Sequence, residues 1–163
     1  MHTDEIDGST WRIPAERFKT KVAHEVPLIP AIRKLLPKIK NGFLFGCASH
    51  RHHLAAGAAP LKSLGNFKED IDAAIALMRR REHRKPMAPW TYHDLRRTAR
   101  TMLAELGVSD EIAERVLGHS NGKIADTYNH HRYLAEKTAA LTKLADHVER
   151  ITKMPPRLRV VAA

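Results

Sequence analysis

The chain has 163 residues, enough for one domain with a real core, and its 28 Lys and Arg against 18 Asp and Glu leave a formal charge of +10 and a pI near 10. That balance favours a polyanionic partner, with nucleic acid as the first candidate. A single cysteine, Cys47, excludes an internal disulfide framework and fits a reducing compartment. No stretch is long and apolar enough to span a membrane, and the acidic, polar start MHTDEIDGST is unlike a signal peptide, so a cytoplasmic, nucleoid-associated location is expected.

In chain order, STWRIPAERFKTKVAHEVPLIP (9–30) predicts two short strands joined by a basic turn. Trp11 and Ile13 alternate with polar neighbours, and so do Val26 and Leu28. Pro14 and Pro27 suggest edge strands. The turn carries Arg17, Lys19 and Lys21. Residues 30–39 predict a short helix ended near Pro37. GFLFG (42–46) predicts a third strand, and 47–66 a loop. Residues 66–82 predict a helix with Phe67, Ile71, Ile75 and Met78 at helical spacing, followed by the basic linker RRREHRKPMAP.

Thr91 is the expected N-cap of a helix, with Asp94 in the capping-box position. The helix is expected to run to Leu106 and stop at Gly107. Leu95, Ala99, Met102, Leu103 and Leu106 are assigned to its core side, and His93, Arg96, Arg97 and Arg100 to the other. Ser109 caps the next helix, 110–117, expected to bury Ile112, Val116 and Leu117 and to end at Gly118. HSNGK is a turn, and a short segment carries Tyr128. The last helix, about 133–152, should pack a stripe of Leu134, Leu141, Leu144, Val148 and Ile151. The whole predicts a mainly α chain with a small antiparallel β-sheet (α+β), with residues 1–153 as one unit and 154–163 as a tail.

Two arginine-like cations and two imidazoles can clamp a phosphate and neutralise charge in a transition state. A tyrosine can attack as a nucleophile, and a lysine on a turn can protonate a leaving oxygen. His93, Arg96, His119, Tyr128 and the hairpin lysines are such a set, which points to phosphoryl transfer on a nucleic-acid backbone. Singly, each has a plainer role: His93 as a helix cap, Tyr128 as a core tyrosine. The histidines of HRHH (50–53) and His130-His131 read as solvated loop residues rather than zinc ligands, because there is one cysteine and no helical His-x-x-x-His pair. RRREHRK (79–85) reads equally as a phosphate-contacting linker or a solvated charge run.

Four motifs in order carry more weight. HDLRRT after Tyr92, LGH at 117–119, a tyrosine nine residues later and the hairpin WRIPAERFKTKVAHEVPL together resemble the tyrosine recombinase (phage integrase) family. The look is that of satellite-phage and genomic-island integrases, over about residues 4–150. The resemblance implies the family's catalytic-domain fold and site-specific DNA integration through a 3′-phosphotyrosyl intermediate. It implies Tyr128 as nucleophile, Arg96 as the second arginine on the scissile phosphate, His93 and His119 as further phosphate ligands, and Lys19 as general acid, with Lys21 as the neighbouring alternative. Lys21, Arg97, Arg100, His131 and Arg132 are expected to touch DNA, and no metal or other cofactor is implied. The family's first arginine, in a Gly-x-Arg-x-x-Glu helix, has no match here; Arg12 and Arg17 lie in the hairpin without that context. Loss of one such cation costs on the order of several kcal/mol in the transition state. The chain is therefore expected to be an N-terminally truncated catalytic domain, whose activity alone is an open question. Partners expected are double-stranded DNA and, through the last helix, a second copy or an intact integrase. Two other readings are a non-enzymatic DNA-binding remnant or regulator, and a type IB topoisomerase-like relaxing activity.

Overall fold

The computed structural model describes residues 1–19, 21–45, 65–119 and 133–153. Among them are a three-stranded antiparallel sheet and five α-helices, so the α+β expectation holds. The strands are β1 (Ile6–Asp7), β2 (Thr10–Ile13) and β3 (His24–Pro27), in spatial order β1-β2-β3. Trp11 pairs with Ile6 on one side and Val26 on the other.

Two expectations about this sheet are corrected. GFLFG does not supply the third strand: among residues 42–45 there is only a lone bridge, His2 to Phe43. The third strand comes instead from Ile6–Asp7, too short for any alternating pattern. β2 is also the central strand rather than an edge; Pro14 stands just beyond its end, so no ladder bond is lost. Pro27 lies in β3, where an edge position suits a residue with no N–H. A carboxylate ties the N-terminal turn to the sheet. Glu5 accepts hydrogen bonds from the His2 amide and the Trp11 indole, each at 3.0 Å, and pairs with Arg17. Burial pushes that carboxyl up, but these three donors outweigh it and hold the pKa below the usual carboxylate value.

Helix α1 (Pro30–Leu35) starts with proline at its first position and stops at Leu36, the extended residue that precedes Pro37. Helix α2 (Gly65–Arg81) exposes Ile71 and Met78, two of the apolar residues at helical spacing. Its companion is the returning linker: residues 86–90 line a groove with Lys68, Asp72, Ile75 and Ala76. Helices α3 (Tyr92–Glu105), α4 (Asp110–Leu117) and α5 (Leu134–Lys153) pack on one another, and α5 also lies against β3. Leu103, Ala113 and Ala140 form the centre, with Val108, Ile112, Val116 and Leu144 around it.

The α3 faces need a correction. Leu95, assigned to the core, is 56% exposed, while Arg96 and Arg100 are partly buried. The helical wheel explains it. Arg96 lies seven residues before Leu103, only ~20° away at ~100° per residue, whereas Leu95 is ~80° away. The buried line of α3 follows the seam between its apolar and cationic faces, and the two arginines that flank Leu103 are carried inward with it. On α5 the buried positions are Lys137 and Ala140, and the expected packing residues Val148 and Ile151 are 40% and 42% exposed. No helix among the described residues is long and apolar enough to cross a membrane.

Candidate active site

Helix α3 begins as its sequence prescribes. The Thr91 amide and hydroxyl both donate to Asp94, which closes the capping box. These bonds, led by the one from the Thr91 amide, hold the Asp94 carboxyl below its usual pKa. Capping fixes the first turn, and His93 stands exposed on it. One turn later Arg96 reaches α4: its Nη2 donates to the carbonyl of Leu117 at 2.6 Å. That carbonyl is one of the orphan acceptors at a helix C-terminus, where a guanidinium is a favoured partner. The bond joins the His-x-x-Arg turn to the Leu-Gly-His corner.

Gly118 makes the corner possible. Its φ of 72° is left-handed, and its amide closes onto the Arg115 carbonyl at 3.3 Å. A Cβ there would meet the Phe18 ring at 2.7 Å and the His24 ring at 3.3 Å. Phe18 and His24 stack on each other with centroids 4.9 Å apart. The two ends of the hairpin turn therefore rest on Gly118, and the turn that carries Lys19 and Lys21 projects from this contact. Burial, with the positive charges of Lys137 and Arg96 added, pushes the His24 pKa down to about 4, so the ring is neutral near pH 7.

His119 follows directly. Its Nδ1 is bonded to Glu114, and its amide donates to the Glu114 carbonyl at 2.9 Å. An imidazole oriented through Nδ1 presents Nε2 outward, the arrangement of a ring aimed at a ligand. Glu114 also accepts from Arg100 Nε at 2.7 Å; the His119 and Arg100 bonds keep its carboxyl below the usual range. Arg100 adds a bond to Asp110 at 2.8 Å. Two carboxylates so occupy Arg100 in this structure, where the sequence suggested a DNA contact. Arg97 is exposed, with Asp94 at 3.5 Å.

On the hairpin turn, Lys21 has φ 57° and its Nζ bends back to the Glu16 carbonyl at 3.3 Å, while Lys19 is exposed. Tyr128, His131 and Arg132 lie outside the described residues, as do 50–53, the Asn121-Gly122 turn and the tail 154–163. Among the described residues no three His, Cys, Asp or Glu side chains gather to hold a metal ion.

A model of the phage integrase family matches residues 1–134. The chain belongs to the phage integrase family. No curated protein and no solved structure matches it. The match runs through the hairpin, the His-x-x-Arg helix and the Leu-Gly-His corner, and stops at the first residue of α5.

Three supporting residues of this integrase-family chain escape sequence reasoning. Glu114 orients His119 from five positions upstream, a spacing that signals nothing in a helix ending at Gly118. His24 sits two residues before Val26 in the hairpin, where an alternating pattern marks only a strand. Lys137 is 5% exposed and donates from Nζ to the Glu25 carbonyl at 2.5 Å, which ties α5 to β3. Burial lowers its pKa from the ordinary lysine value. Its position seven residues before Leu144 places it on the packed stripe, but a lysine there reads as solvent-facing.

Proposed function

We propose that this chain carries the phosphate-binding and nucleophilic parts of a satellite-phage or genomic-island type integrase, with residues 1–153 as one catalytic unit. Its substrate is double-stranded DNA. Tyr128 attacks a phosphodiester phosphorus; the P–O bond to the 5′ oxygen breaks, leaving a 3′-phosphotyrosyl link and a 5′-hydroxyl. Arg96 holds a non-bridging oxygen of that phosphate. His93 and His119 bind the same phosphoryl group and offset its growing charge. Lys19 gives the leaving 5′ oxygen its proton; the Lys21 amine is engaged with Glu16 on its own turn, which favours Lys19 for this step. The phosphotyrosyl link conserves the energy of the bond, so the 5′-hydroxyl of a partner strand can reverse the attack.

The observation that carries this reading is the convergence on Leu117–His119. Arg96 bonds the Leu117 carbonyl, the hairpin stacks on Gly118, and His119 is oriented by Glu114. Motifs far apart in the chain so meet at one corner. The chain has no match to the family's first arginine, and a complete clamp on the phosphate would need that cation from elsewhere. A second reading is a DNA-binding regulator of an intact integrase without strand transfer.

The test is covalent trapping. The full chain is incubated with a library of nicked random-sequence duplexes and resolved under denaturing conditions. A protein–DNA adduct that disappears in Tyr128→Phe and weakens by roughly 100-fold in Arg96→Ala is expected. DNA binding with no adduct, from a folded chain, gives the regulator reading instead.

A further inference from the structure

The residues Arg79-Arg80-Arg81-Glu82-His83-Arg84-Lys85 end α2 and turn the chain back along it. His83 has φ 53°, a left-handed residue at the reversal. The Arg84 amide donates to the Arg79 carbonyl at 2.8 Å, the His83 amide to the Arg80 carbonyl at 3.2 Å, and Arg79 Nε to the Lys85 carbonyl at 2.6 Å. The run is thus a folded turn in which backbone bonds hold five cations close together. One carboxylate, Glu82, pairs with Arg84 at 3.1 Å. Arg80, Arg81 and Lys85 have no acidic partner among the described residues.

Elsewhere among the described residues, Arg33 and Arg96 donate to backbone carbonyls and Arg150 meets the His147 ring. Arg12, Arg17, Arg97, Arg100 and Arg115 each have a carboxylate within salt-bridge distance. The carbonyl end of α2 favours nearby positive charge, which accounts for a cation or two in the last turn. It does not account for Arg84 and Lys85 beyond the helix. Like charges packed this closely repel one another unless an anion lies between them. Beside them runs a groove of about 630 Å³, lined by Ala73, Leu77 and Pro86 together with Arg79, Arg80 and Arg84.

We propose that this turn is a second duplex-DNA contact, which grips backbone phosphates away from the reacting one. The proposal rests on the DNA-binding part of the function proposed above. Its placement follows from Trp90. The Trp90 indole donates to Asp72 at 2.7 Å, with Lys68 Nζ 4.8 Å from the ring centroid, so the residue just ahead of the α3 cap is fastened to α2. Arg79–Arg81 stand seven to nine residues further along α2, ~10–14 Å at 1.5 Å per residue. Phosphates on one strand of B-DNA are spaced ~3.4 Å along the axis, so with the duplex lying along α2 the turn meets the backbone three or four steps from the phosphate near the start of α3. Phosphate contact of this kind fixes position and strength but not base sequence.

The experiment measures binding of the full chain to a random-sequence duplex by fluorescence anisotropy, with salt raised from about 50 to about 200 mM. Each cation that displaces a counterion adds about 0.9 to the slope of log affinity against log salt. Arg80→Gln/Arg81→Gln/Lys85→Gln should therefore lower the slope by between about 2 and 3 and weaken binding roughly tenfold or more at the low-salt end. Arg80→Lys/Arg81→Lys keeps the charge and should keep the slope. Circular dichroism checks the fold; if the triple variant melts early, the exposed single change Arg80→Gln, expected to lower the slope by about 0.9, decides instead. An unchanged slope in a folded neutralised variant overturns the proposal. A parent chain that forms no adduct but loses slope in the variant sinks strand transfer and leaves the turn's role standing. A parent chain that does not bind duplex DNA sinks both.

Discussion

In α3, Arg96 and Arg100 turn toward the interior and end on α4, at the Leu117 carbonyl, Asp110 and Glu114. In α2 and the turn after it, Arg80, Arg81 and Lys85 meet no carboxylate among the described residues, and Leu77 and Met78 beside them are 50% and 59% exposed. The same residue types thus serve two purposes. Around Leu103 the cations complete a corner: they satisfy carbonyls and carboxylates that packing has stranded, and they orient His119 through Glu114. Along α2 the cover among the described residues is the linker that returns from Pro86 to Trp90. A basic helix is therefore not a DNA surface merely because it is basic: some of its cations already serve the fold.

The sharpest way to break this comparison is truncation on each side of it. Leu103→Ala should lower unfolding free energy in urea by about 3–5 kcal/mol, since its side chain is fully buried between three helices. Leu77→Ala on α2 should change it by no more than about 0.5 kcal/mol. Equal losses at the two sites would mean that α2 is as much part of the core as α3.

Gly118→Ala comes next. It puts a side chain into a left-handed conformation, at a cost of about 1–2 kcal/mol, and drives a Cβ into the Phe18 ring. Destabilisation in urea should be accompanied by a loss of adduct formation larger than stability explains, because the hairpin must shift off the corner. Full adduct formation in this variant would show that the hairpin's seat on Gly118 does not matter to the chemistry.

The remaining prediction concerns pH. The folded chain holds His24 with a pKa of about 4, against 6.5 for a free histidine. Above pH 6.5 neither state protonates it and stability is unaffected. As pH falls below 6.5, the unfolded chain takes up a proton that the folded chain refuses, so this contribution to stability drains away down to about pH 4. His24→Phe keeps an aromatic ring against Phe18 without the titration. Its melting temperature should fall less than the parent's between about pH 7 and about pH 5. Identical slopes would show that His24 titrates as an ordinary surface imidazole.

Much of this was legible in the residues. The Thr91–Asp94 box, the stop near Gly107 and the left-handed Gly118 are local chemistry, and local chemistry survives folding. His93, Arg96 and His119 stand out in the sequence through motif order alone, and the structure brings Arg96 to the Leu117 carbonyl beside His119. The faces of α3 could not be read: a wheel gives two faces and not which seam turns inward, and that choice rested on where α4 offered Leu117, Asp110 and Glu114. GFLFG looked like a strand because it is apolar and short, but strands require a partner of matching length, and His2 supplies a single bridge. Lys137 was hidden for a different reason. A lysine reads as solvent-facing unless its acceptor is known, and the Glu25 carbonyl is 112 residues away.

The indoles of the chain's two tryptophans are both anchored to carboxylates, in different regions. Trp11 donates to Glu5 within the sheet, and Trp90 to Asp72 on α2. Lys68 and Trp90 keep the Asp72 carboxyl ionised below its usual range, as the donors to Glu5 do for that one. The molecule is consequently wired with two optical reporters, each sensitive to the breaking of one hydrogen bond. With either tryptophan replaced by phenylalanine, the fluorescence of the other follows its own region alone. The order in which the sheet and α2 let go, or tighten when DNA arrives, becomes a matter of colour.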